Sequence, residues 1–102
     1  MSDLRENQSE FVRMVGKLID FATANGYELT FGDAYRDTRC PYGAVKSKHH
    51  DRLAVDFNLF IDGKYCQSTE SHRPLGEYWE SIGGRWGGRF RDGNHYEYKE
   101  KE

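Results

Sequence analysis

From Ser9 to Ala24 the apolar residues Phe11, Met14, Val15, Leu18, Ile19 and Ala22 return every three or four positions, the period of an amphipathic helix. Asn25-Gly26 ends this pattern, since glycine readily takes the left-handed conformation of a helix C-terminus. Tyr27-Glu28-Leu29-Thr30-Phe31 then alternates apolar and polar residues, as a half-buried strand does. Gly32 to Lys48 has no period and mixes Gly, Asp, Pro and Ser, so it reads as a loop over the core.

Leu53 to Ile61 resumes the alternation. Leu53, Val55, Phe57 and Leu59 fall on one face, and Ala54, Asp56 and Asn58 on the other. The face with Asp56 thus presents a carboxylate beside a small residue. Asp62-Gly63 followed by Lys64-Tyr65-Cys66 predicts a two-residue hairpin and an at least partly antiparallel sheet. Pro74 opens a short helix through Leu75, Tyr78, Trp79 and Ile82, stopped at Gly83-Gly84. Beyond the glycine-rich Gly83 to Gly88 stretch, His95-Tyr96-Glu97-Tyr98 alternates as a last strand, and Lys99 to Glu102 frays. The order helix, strand, loop, hairpin, helix, strand predicts an α+β fold. With 102 residues and no repeat or linker, one domain over residues 1–102 is expected.

Composition narrows the function classes. Fifteen Lys and Arg against seventeen Asp and Glu give a net charge of -2, with the basic residues scattered. Phosphate binding needs a concentrated cationic face, so nucleic acid is not an expected partner. The local exception is Arg85, Arg89 and Arg91 with Trp86 and Phe90, a short basic aromatic patch of a kind that is usually a solvated edge. Cys40 and Cys66 are too few for a disulfide framework and make no CxxC pair. They read as two thiols, with one disulfide open if the fold joins them. The start MSDLRENQSE has no apolar core of a signal peptide, and no run approaches the ~18 apolar residues of a membrane span. A chain made in the cytoplasm, without membrane insertion, is expected.

The chemistry gathers on a few side chains. His49 and Asp56 have six residues between them, an odd offset that would put them on opposite faces of a continuous strand. They converge if His49 belongs to the loop before the strand, which the polar Ser47 to Arg52 run favours. His95, after the flexible glycine segment, is the best third partner. Two imidazoles and one carboxylate with an open fourth position form the donor set of a catalytic zinc, whereas structural zinc usually closes its shell with cysteine. Asp92, three residues before His95, is placed to serve as general base to a water on the metal. Arg36 is a candidate cation for the oxyanion formed when that water attacks a carbonyl. Simpler readings stand beside these: Asp92 as a turn residue before Gly93, Arg36 paired with Asp33 or Asp37, His50 and His72 as surface or satisfied polar residues, Trp79 and Trp86 as core.

Ser47-Lys48-His49-His50-Asp51-Arg52-Leu53-Ala54-Val55-Asp56 resembles the S-x-H-x-x-G-x-A-x-D motif of the family that unites D-alanyl-D-alanine carboxypeptidases, vancomycin-resistance dipeptidases and phage L-alanyl-D-glutamate endopeptidases. It matches at Ser47, His49, Ala54 and Asp56, and has Arg52 where the family has glycine. Asp92-Gly93-Asn94-His95-Tyr96-Glu97-Tyr98 is similar to the second motif, an acid, two residues, then His, an aromatic and often Glu. Asp in place of Glu as the acid resembles the phage branch, as does Trp86-Gly87-Gly88 ahead of it. Ala34-Tyr35-Arg36-Asp37 is similar to the family's arginine motif.

The resemblance implies a Hedgehog/D,D-peptidase type of α+β fold, a small antiparallel sheet with flanking helices. It implies one zinc ion (Zn2+) on His49, Asp56 and His95, Asp92 as base, and Arg36 and Ser47 on the substrate. It also implies peptidoglycan stem peptide as substrate. The expectation is a zinc peptidoglycan endopeptidase of the phage endolysin kind cleaving L-Ala–D-Glu, a monomer released from the host cytoplasm to act on the wall from the periplasm. Three alternatives are distinguishable from it: a D-Ala–D-Ala carboxypeptidase of the same family, a non-catalytic metal-stabilised binding module, and a one-metal nuclease built on His49-His50 and the arginine patch.

Overall fold

The computed structural model describes residues 4–32 and 52–99. Helix α1 covers Leu4–Ala24 and buries Phe11, Met14, Leu18 and Ala22, four of the six positions that the apolar period names. It begins five residues before the period does. Leu4 is half exposed, so the first turn buries no stripe and leaves no spacing to read; the helix formers there extend the coil of hydrogen bonds by propensity. At the other end Asn25 N donates to Phe21 O over 3.1 Å, and Gly26 takes φ +78°, the left-handed stop expected of it.

Strand β1 (Tyr27–Phe31) pairs antiparallel with β2 (Ala54–Ile61), Phe31 opposite Phe57. Asp62 and Gly63 both take positive φ, 53° and 78°, the pair of left-handed residues that a two-residue hairpin turn demands. That turn folds β3 (Lys64–Cys66) back on the end of β2. The other end of β2 pairs with β5 (His95–Glu97), and β5 in turn with β4 (Arg85–Trp86). All pairings are antiparallel in this five-stranded sheet of order β1-β2-β5-β4, with β3 beside β2. Strand β4 falls within the stretch the sequence presents as glycine-rich and irregular; two residues are too few to show a period. A 3-10 turn (Gly87–Phe90) follows it.

Helix α2 covers Thr69–Ser81, and here the sequence expectation is corrected. Pro74 does not open the helix but lies in its second turn. The start belongs to Ser68, whose Oγ accepts from Ser71 N over 3.1 Å, an N-cap of ordinary type. The proline removes one helical hydrogen bond; burial of Leu75 and Trp79, both 0% exposed, offsets that loss.

Both helices cover one face of the sheet. The core there is Phe11, Met14 and Leu18 from α1, Leu75 and Trp79 from α2, and Leu53, Val55, Phe57, Leu59, Trp86 and Tyr96 from the strands. Trp79 meets Phe11 and Tyr96 edge to face, with ring centroids 5.9 and 6.0 Å apart. Period-two alternation then forces Asp56, His95 and Glu97 onto the opposite face. The fold is α+β, with the core on one side of the sheet and the polar chemistry on the other. No described helix is long and apolar enough to cross a membrane.

Candidate metal centre

Asp56 and His95 are direct partners in the β2–β5 register. Their side chains meet on the face of the sheet away from the helices, with His95 Nδ1 3.2 Å from Asp56 Oδ1. The second ring nitrogen, Nε2, lies 2.8 Å from Glu97 Oε1. The three side chains are alike in burial, at 15%, 13% and 15% exposure for His95, Asp56 and Glu97. Arg85, opposite Glu97 in the next strand, brings Nη1 to 3.8 Å from Glu97 Oε2. Along β2 the polar row continues through Asn58, which donates to Thr30 Oγ1 and accepts from the Tyr65 hydroxyl.

Burial alone would push the His95 imidazole down, but hydrogen bonds to Asp56 and Glu97, together with their charge, outweigh it and raise it to about 9. Without an ion, the two carboxylates thus favour the protonated form of the His95 ring itself. Whether zinc suits it can be judged from the Asp56–His95 separation. Two donors at ~2.0–2.2 Å from one tetrahedral zinc lie about 3.3–3.5 Å from each other, close to the 3.2 Å found. An imidazole whose far nitrogen meets a carboxylate is also the usual environment of a histidine ligand. The pair fits the ion. Among the described residues no group of three His, Cys, Asp or Glu side chains is arranged to hold a metal. His49, the third donor read from sequence, lies outside the described residues, as do Arg36, Ser47, His50 and Cys40. The described chain stops at Gly32, whose N–H donates to Asp56 O over 2.7 Å, and resumes at Arg52.

Arg52, which replaces the family's glycine, takes φ 58°. This is a left-handed conformation that glycine adopts without strain and an arginine only at a cost.

Asp92 is exposed and belongs to a loop fixed through its backbone. Its N–H donates to Gly87 O over 2.9 Å, and its carbonyl accepts from His95 N over 3.1 Å. Gly93 O accepts from Trp86 Nε1 over 2.7 Å. The Trp86 ring, 1% exposed, is gripped so closely that a Cβ on Gly76 or Gly88 would come within 2.0 or 2.2 Å of it. The Arg73 and Arg89 guanidinium groups lie 5.8 and 5.4 Å from its centre. Arg89 is bound through Nε and Nη2 by Glu80, so this arginine of the basic aromatic patch is a buttress for Trp86. Trp79 and Trp86 are core, as expected.

His72 is a satisfied core histidine, 1% exposed, with Nδ1 2.8 Å from the Tyr96 hydroxyl. Cys66 is a half-buried free thiol. Glu97 is the site residue that reading the sequence missed as a participant. Its signal was present in the alternation of His95, Tyr96 and Glu97, which puts the first and third side chains on one face.

The sequence profile of a peptidase family described as D-alanyl-D-alanine carboxypeptidase matches residues 42–98. That span includes both motifs, from Ser47 to Asp56 and from Asp92 to Tyr98. No curated protein is similar enough to the chain to be matched to it.

Proposed function

The chain belongs to the D-alanyl-D-alanine carboxypeptidase family of peptidases, and from that premise we propose that it is a zinc-dependent peptidoglycan endopeptidase cleaving the L-Ala–D-Glu bond of stem peptides. The observation that carries this reading is the Asp56–His95 pair, 3.2 Å apart on the sheet face away from the core, with His95 three residues beyond Asp92. His49, Asp56 and His95 would hold the ion, with residues 1–102 acting as one catalytic domain and as a monomer. When bound, zinc supplies Lewis acidity and lowers the pKa of a water to about 7. Asp92 accepts the proton of the attacking water and returns it to the departing amide nitrogen. Arg36 offsets the negative charge that grows on the carbonyl oxygen, and Ser47 helps to hold the peptide.

The test is mass spectrometry of muropeptides from purified sacculi treated with zinc-loaded protein beside a chelated control. Stem peptides released without L-Ala are expected. Loss of terminal D-Ala instead would transfer the activity to the carboxypeptidase alternative, which the description of the family favours. The absence of any zinc-dependent product would overturn the peptidase reading in favour of a binding module. Asp92→Ala should abolish turnover with zinc still bound; full activity in that variant would remove Asp92 from the mechanism.

A further inference from the structure

We infer that Glu97 is a positioning residue of the metal centre: by accepting a hydrogen bond from His95 Nε2, it fixes the ring with Nδ1 turned toward Asp56, the side on which the ion would be held. This rests on the metal reading proposed above and adds to it a fourth side chain. The His95 Nε2 to Glu97 Oε1 distance, 2.8 Å, is that of a charge-assisted hydrogen bond. A ring nitrogen that coordinates a metal carries no proton, so the proton of a neutral imidazole must be on the other nitrogen. An acceptor at Nε2 selects that tautomer and also stops rotation of the ring. Without it, the tautomer protonated at Nδ1 becomes available, and that form cannot coordinate through Nδ1.

Glu97 is itself held. Its carbonyl accepts from Trp79 Nε1 over 2.9 Å, which ties its backbone to the core. Its second carboxylate oxygen faces Arg85 at 3.8 Å. Between His95 and Glu97, Tyr96 is buried on the other face with its hydroxyl on His72, which prevents β5 from twisting to present a different pair. A rigid support of this kind is what a preorganised ligand needs.

The experiment uses the full chain and compares wild type, Glu97→Gln and Glu97→Ala by competition for zinc with a chromophoric chelator, with circular dichroism reporting the fold. Carboxylates behind metal-bound histidines typically contribute 10–100-fold in affinity. Glu97→Ala should therefore bind zinc roughly 10–100-fold more weakly, and Glu97→Gln, which keeps an acceptor oxygen, should fall between. The visible bands of the cobalt-substituted protein should shift in Glu97→Ala. Wild type that binds no zinc would overturn the metal reading itself, whereas wild type that binds zinc with Glu97→Ala within twofold of it would overturn the role of Glu97 alone. Should Glu97→Ala not fold, nitrogen NMR of the zinc-loaded wild type decides. A protonated Nε2 with zinc on Nδ1 supports the inference, and zinc on Nε2 refutes it.

Discussion

Replacing Gly87 with alanine should loosen the centre without touching any chemical group in it. A Cβ at this position would lie 2.3 Å from the Asp92 carbonyl oxygen and 2.7 Å from His95 Cβ. Optimal carbon contacts are ~3.5–4.0 Å, so the two segments must part by about 1 Å. Neither obstacle can swing aside, since one is backbone and the other is fixed to it, and Asp92 N is bonded to Gly87 O itself. Gly87 is not at positive φ, so the effect is steric rather than conformational. Overpacking of this kind costs about 1–3 kcal/mol, and misplacing a reacting group by ~1 Å costs on the order of 100-fold in rate. The expectation for Gly87→Ala is weaker zinc binding and at least a tenfold loss of muropeptide release, with the protein still folded. Gly16→Ala in α1 is the control: nothing lies within 4 Å of its Cβ, and it should gain about 0.5–1 kcal/mol of stability. Zinc affinity and release rate both within twofold of wild type in Gly87→Ala would refute the argument that Gly87 sets the spacing of Asp92 and His95.

Two further perturbations test the scaffold. Burial lowers His72 to about 4 from the ordinary 6.5, against a smaller opposing effect of its hydrogen bond to the Cys66 backbone. The unfolded chain therefore takes up this proton first, and stability present above pH 6.5 is lost as pH falls toward 4. Urea titrations of chelated wild type and His72→Gln from pH 7.5 to 4.5 should show wild type losing roughly 2–3 kcal/mol more than the variant; parallel curves would mean that His72 does not titrate in this window. Arg52→Gly relieves a left-handed arginine worth roughly 1–2 kcal/mol, from which ~0.5–1 kcal/mol is subtracted for the freer unfolded chain. A rise in melting temperature is expected, and a fall would show that the Arg52 side chain contributes more than its backbone costs.

The local features were legible in the sequence because they are properties of neighbours along the chain. The three- and four-residue spacing marked Phe11, Met14, Leu18 and Ala22, all of them buried. Asp62-Gly63 specified its hairpin through the φ values it tolerates. Alternation alone assigned Val55, Phe57 and Leu59 to the core and Asp56 to the other side. The two motifs, in order and at the right separation, indicated the peptidase family and named Asp56, Asp92 and His95 as candidates for its chemistry.

Where those residues meet was decided by tertiary structure. Asp56 and His95 are 39 positions apart, and no pattern in either segment states the register that places them opposite each other. The start of α2 was misread because Pro74 is a stronger signal than Ser68, although the cap at Ser68 was the one used. Strand β4 exists because Arg85 and Trp86 find an edge of β5 to pair with, a partner supplied by the sheet rather than by two residues of their own. The same holds for the loop of Asp92, fixed by a Trp86 indole that reaches Gly93 and by glycines that admit the ring. Sequence can specify which groups are available and which way each faces locally. Distances between segments depend on strand register and on close packing, and these arise only when the whole chain has found its core.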